Sequence, residues 1–157
     1  MPHLFSKSLV KIIDGFDSKD QCLEQMVSML AASGCMEFPD RFLAAVKGRE
    51  EIMSTGIGKE VAIPHARDLV VNQIKIAVCL LKKPLDFQSM DNKPVKIVFM
   101  IAVPQNSNTA YMMILRSLSE YLKQEEKRLA LLSCQTEEEL FTKLREIEDV
   151  IKQNIKL

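Results

Sequence analysis

The sequence predicts an α/β fold, a single domain over residues 1–157 in which one sheet is covered by α-helices on both faces. Three observations predict it. Two β-branched apolar runs, residues 74–81 and 95–103, have the length and residue types of strands, and the second is apolar enough to lie centrally in a sheet. Elsewhere apolar residues recur at helical spacing, twice behind a capping box. The order strand, helices, strands, helices then suits a layered sheet-and-helix structure. With 47% hydrophobic residues and no proline-rich or glycine-rich tract, the chain is expected to bury a substantial core.

Taken in order, residues 9–13 form a short strand candidate closed by Asp14-Gly15. Ser18 with Gln21 reads as a capping box; Cys22, Leu23, Met26, Val27 and Leu30 make the helical stripe, and Gly34 is the stop. Pro39 opens a second helix carrying Phe42, Leu43, Val46 and Ile52, which the glycines of Thr55-Gly-Ile-Gly58 interrupt. Between the two long strands, residues 83–87 and 90–94 supply turn chemistry. After Pro104, Tyr111, Ile114, Leu115, Leu118 and Leu122 mark one helix face, and a shorter helix is expected over 125–133. Thr136 with Glu139 is the second capping box, ahead of Leu140, Leu144, Ile147 and Ile151.

Composition excludes several classes of function. Lys plus Arg number 21 and Asp plus Glu number 21, so no broad basic field exists to hold a nucleic acid. The longest apolar stretches, such as residues 97–103, fall far short of the roughly 20 residues that span a bilayer. Residues 1–16 lack the charged and apolar regions of a signal peptide. The four cysteines, at 22, 35, 79 and 134, match no zinc spacing and suit a reduced, cytoplasmic protein. No paired metal-ligand motif or Walker-type loop is present, so neither a metal-dependent hydrolase nor nucleotide binding is expected.

Residues 49–65 carry the chemistry. Thr55-Gly-Ile-Gly58 leads into a short apolar run that ends on His65, one of two histidines; the other, His3, is expected to lie at a frayed terminus. Imidazole is nucleophilic near neutral pH without prior proton removal, which suits acceptance and release of a phosphoryl group. Such transfer needs positioning and stabilisation of the equatorial oxygens. The successive amides of Thr55, Gly56, Ile57 and Gly58 are candidates for a phosphate cradle, with the Thr55 hydroxyl as a further donor. Arg49 is the candidate guanidinium, and Arg67 a second cation.

The run Arg49-Glu50, Thr55-Gly-Ile-Gly58 and Val61-Ala-Ile-Pro-His65 resembles the active-site signature of enzyme IIA domains of the bacterial sugar phosphotransferase system. The matching class is the fructose/mannitol type, which includes nitrogen-regulatory enzyme IIA proteins. The resemblance continues through Pro84-Leu-Asp-Phe87 and Asp91-Asn-Lys-Pro-Val95 to Pro104 and the Glu137-Glu-Glu-Leu140 helix. It implies a mixed sheet flanked by helices, with no metal or organic cofactor. It also implies that His65 takes a phosphoryl group from an HPr-like phosphocarrier and passes it to a IIB component or holds it as a regulatory signal. Arg49 would be the arginine beside that histidine. The chain departs from the family at two positions. Tyr111 stands where a second histidine is common, and Glu60 where glycine is common; a carboxylate there would repel an incoming phosphoryl group. These departures support an alternative, a non-enzymatic regulatory module with a degenerate site.

Overall fold

The structure, a computed structural model, describes residues 3–155; residues 1, 2, 156 and 157 of the expected domain lie outside the described residues. A 3-10 turn at Lys7–Leu9 leads into β1 (Val10–Ile13), then α1 (Lys19–Ala32) and α2 (Pro39–Ile52). Three short strands follow, β2 (Gly56–Gly58), β3 (Val61–Ala62) and β4 (His65–Asp68), then the long β5 (Lys75–Leu85) and β6 (Val95–Pro104). The helices α3 (Asn108–Lys123), α4 (Glu125–Leu132) and α5 (Glu137–Ile155) complete the described chain.

The sheet is mixed. Its path runs β1-β5-β6-β3-β2, with β4 also paired to β6. β1 is parallel to β5, β5 antiparallel to β6, and both β3 and β4 parallel to β6. β3 and β4 therefore share one edge of β6, interrupted at Ile63-Pro64, where proline has no amide to donate to a ladder.

Side chains alternate across a strand, and the long strands divide their residues accordingly. Ile76, Val78, Leu80, Ile97, Phe99, Ile101 and Val103 face α3, α4 and α5, where Ile114, Leu118, Leu140, Leu144 and Ile147 meet them. Ala77, Cys79, Leu81, Val98, Met100 and Ala102 face α1 and α2, against Leu23, Met26, Leu30, Phe42 and Val46. Each fully buried aliphatic or aromatic side chain of this kind stabilises the fold by about 1.5–3 kcal/mol. The four cysteines are free and buried, and burial raises every thiol, Cys79 to about 12.

Both N-caps form: the Gln21 amide donates to Ser18 Oγ at 3.0 Å, and the Glu139 amide to Thr136 Oγ1 at 3.1 Å, while the Gln21 and Glu139 side chains accept from the amides one residue ahead of each cap, Asp17 and Gln135. Gly34 ends the first helical segment with φ +84°, and Pro39 is the first residue of α2.

Four local expectations change. Residues 83–85 continue β5 past an irregularity in its pairing with β6 rather than turning, with Lys82, Lys83 and Pro84 exposed. Ile52 is 81% exposed at the end of α2 rather than packed in the core. The Thr55–Gly58 segment supplies an edge strand, joined to β3 by a two-residue hairpin turn at Lys59-Glu60. His3 is tied down, with Nδ1 2.7 Å from Glu148 Oε2. Glu148 also accepts from the amides of Leu4 (2.7 Å) and Phe5 (2.9 Å), fixing the start of the described chain on α5.

The hairpin turn gives a first prediction. Lys59 and Glu60 both have positive φ, 56° and 71°, the pattern of a type I′ turn, which favours glycine because a Cβ is strained there. Glu60→Gly is expected to stabilise the protein by about 1 kcal/mol, read as a higher urea midpoint with unchanged slope.

Candidate functional site

His65 opens β4, and its register opposite Ile101 sets it three residues before the end of β6. Its ring is held from within its own chain: Nδ1 lies 2.8 Å from the carbonyl of Ile63, two residues back across Pro64. A carbonyl oxygen can only accept, so Nδ1 carries the proton and Nε2 keeps the free lone pair. The side chain is 7% exposed, yet it forms part of the wall of an open cleft of about 780 Å³.

Burial pushes His65 below the ordinary imidazole value, and the nearby Arg49 charge acts in the same direction; the Ile63 hydrogen bond and Glu50 oppose it. The ring is therefore neutral at pH 7, as a nucleophile must be.

The other cleft walls come from three elements. Arg49 and Ile52 stand on the last turn of α2. The Arg49 Nη1 donates to the carbonyl of Met53 at 2.8 Å, which anchors the guanidinium beside the helix end. Gln105 and Asn106 come from the connection between β6 and α3, and Asn108 and Tyr111 from the first turn of that helix. The ring centroids of Tyr111 and His65 are 5.6 Å apart, with planes inclined at 51°. Burial raises the Tyr111 phenol while Arg67 and Arg49 oppose the shift, so the hydroxyl remains a donor at neutral pH.

The start of α3 borders the cleft at Asn108. The first intrahelical bond closes from the Tyr111 amide to the Ser107 carbonyl at 2.9 Å, and the Ser107 side chain makes no cap. The amides of Asn108, Thr109 and Ala110 are the orphan donors that any helix start leaves, at the positive end of the helix dipole. That arrangement can hold a doubly charged tetrahedral anion.

The structure brings His65, Arg49 and Tyr111 together. Thr55, Gly56, Ile57 and Gly58 are not among the residues of the cleft wall. The Thr55 amide donates to Glu50 Oε1 at 3.0 Å and its hydroxyl to Glu50 Oε2. The Gly56 amide donates to Ser54 Oγ and its carbonyl accepts from Met90. Ile57 points outward, and Gly58 pairs with Val61. These groups are engaged in the edge hairpin and its neighbours. Glu60, whose carboxylate was expected to repel a phosphoryl group, occupies the hairpin turn and is likewise absent from the cleft wall. Gln105, Asn106 and Asn108 went unnoticed in the sequence. The available signal was a polar run directly after an apolar strand and before a helix, where ligands commonly meet the carboxyl ends of strands.

A family model described as phosphoenolpyruvate-dependent sugar phosphotransferase system, EIIA 2, matches residues 3–147. The chain is 32% identical over 153 residues to the PTS system fructose-specific EIIABC component of Bacillus subtilis, covering 98% of this chain and 23% of that protein. It thus spans about a quarter of that relative's length. It is 31% identical over 130 residues to the PTS system fructose-specific EIIA component of Haloferax volcanii, covering 83% and 84% of the two chains. The crystal structure of nitrogen regulatory protein IIA-Ntr from Neisseria meningitidis superposes with a TM-score of 0.84 at 27% identity, covering 90% of this chain and 96% of that one.

Proposed function

Because the chain belongs to the EIIA 2 family of the phosphoenolpyruvate-dependent sugar phosphotransferase system, we propose that it is a cytoplasmic phosphocarrier working through His65. The donor is the phosphohistidine of an HPr-like protein. The acceptor is a IIB component or, in a regulatory role, the phosphorylated state itself is read by a partner. The single observation that carries this reading is the His65 ring, with Nδ1 engaged by the Ile63 carbonyl and Nε2 free beside an open cleft.

The step balances without any proton changing place. The Nε2 lone pair forms a P–N bond while the P–N bond of the donor breaks, and that electron pair returns to the donor ring. The ring proton stays on Nδ1, where the Ile63 carbonyl stabilises the positive charge the phosphorylated ring acquires. Arg49 balances the charge on the transferred oxygens, and the start of α3 at Asn108, which borders the same cleft, supports a further main-chain donor. Tyr111 adds a neutral donor.

The test is incubation with phosphoenolpyruvate, enzyme I and an HPr-like carrier, followed by detection of acid-labile, base-stable phosphate. Wild type is expected to be labelled and His65→Ala unlabelled. Because the His65 pKa is lowered from its ordinary value, labelling should persist as pH falls to 6.5 and decline only below it. Wild type that takes no label from any cognate carrier would leave the regulatory binding module as the better reading.

A further inference from the structure

Arg67 has the one guanidinium on the cleft wall that stands on the strand of His65 itself. Two residues apart on β4, the two side chains leave the same side of the sheet. The Arg67 guanidinium carbon lies 5.1 Å from the centroid of the Tyr111 ring, and the His65 ring lies 5.6 Å from the same centroid, inclined at 51°. Tyr111 thus meets both side chains, the guanidinium over its ring and the imidazole tilted against it.

Among the described residues, no carboxylate lies within ion-pair distance of Arg67; the adjacent Asp68 pairs instead with Arg41 Nε at 3.2 Å. An exposed arginine with no acidic partner, its guanidinium placed over an aromatic ring, keeps its charge and donors for something else. Arg49 differs in this respect, since one of its amino groups is bound to the Met53 carbonyl.

We propose that Arg67, aimed by Tyr111, is a second catalytic guanidinium that clasps the outer oxygens of the phosphoryl group on His65. Tyr111 is the positioning residue: its ring fixes the plane of the guanidinium and the distance between that charge and Nε2. A tyrosine at this site does not leave the cleft short of positive charge, because the charge rides on its face. The inference rests on the phosphocarrier reading given above and extends it to two residues with separable roles.

The experiment measures, for the full chain mixed with a phosphorylated HPr-like carrier, the equilibrium ratio of phosphorylated to free protein. It also records the 31P resonance of the phosphohistidine. One charge-assisted contact corresponds to a change of roughly ten- to a hundredfold. Arg67→Ala is expected to lower the ratio at least tenfold and to move the 31P resonance. Tyr111→Leu, which removes the platform, should lower it to a similar extent, while Tyr111→Phe, which keeps the ring, should lose far less. The Arg67→Ala, Tyr111→Leu double variant should be no worse than either single variant, because the two act as one unit. Arg67→Ala with the wild-type ratio and resonance, or additive losses in the double variant, would overturn the proposal while leaving His65 labelling intact. Loss of label from wild type itself would instead overturn the phosphocarrier reading beneath it.

Discussion

Glu148→Ala is expected to lower the unfolding free energy by about 3–5 kcal/mol and the melting temperature by about 10 °C. The carboxylate is 1% exposed on α5, and four donors converge on it. His3 Nδ1 and Lys152 Nζ reach one oxygen at 2.7 and 3.0 Å; the amides of Leu4 and Phe5 reach the other at 2.7 and 2.9 Å. Alanine would leave two backbone amides without their acceptor and release the segment that seats Phe5 edge-on against Phe99, at 6.5 Å between ring centroids. Burial alone would raise the Glu148 pKa, but the hydrogen bonds from His3, Phe5 and Lys152 outweigh it and hold the value near about 2, against an ordinary 4.5. The folded state therefore binds its proton later than the unfolded chain does. The resulting stability, about 3 kcal/mol, is fully present above pH 4.5 and drains away as pH falls towards 2. Urea denaturation of wild type and Glu148→Gln at pH 7 and pH 2.5 checks the sign: the gap between them should be wide at neutral pH and narrow in acid. A gap independent of pH would show that the charge on Glu148 contributes nothing.

What the sequence revealed, and what it hid, follows from range. The long strands and the helices could be read because their signals are local: β-branched runs, helical stripes and two capping boxes that recur as hydrogen bonds in the structure. The strands β2, β3 and β4 could not, because two to four residues carry no period. Backbone freedom alone makes the glycines of 56–58 candidates for an anion cradle. Their packing gives a different reason for glycine: a Cβ on Gly56 would come within 2.9 Å of Ser89 Cα, and Gly58 takes φ +95° at the hairpin. Arg49 and His65 were found because both lie in one short motif. Tyr111 was placed only by resemblance, and the structure sets it beside His65. Gln105, Asn106 and Asn108 join the cleft through the pairing of β4 with β6, a long-range register that no single stretch of sequence displays. His3 shows the same limit in reverse, since its anchor lies 145 positions away.

Glu50→Ala should cost a comparable 3–5 kcal/mol and, unlike Glu148→Ala, should also slow phosphoryl transfer. Glu50 is 8% exposed and ties α2 to two other segments: to α1 through Lys19 Nζ at 2.9 Å, and to the edge hairpin through the Thr55 amide at 3.0 Å and the Thr55 hydroxyl. Removing it strands the Lys19 ammonium, only 16% exposed, and unties the last turn of α2 from the start of the edge hairpin. Arg49 is the preceding residue on that turn, and the Met53 carbonyl that anchors its guanidinium lies within the released segment. The two consequences can be separated. A Lys19→Met, Glu50→Leu pair replaces a buried ion pair with apolar side chains, a change that commonly restores stability. If the pair folds as well as wild type but labels slowly, Glu50 positions Arg49 through its bonds to Thr55. If labelling recovers along with stability, the carboxylate serves the fold alone, and Arg49 finds its place beside His65 from the helix end without help.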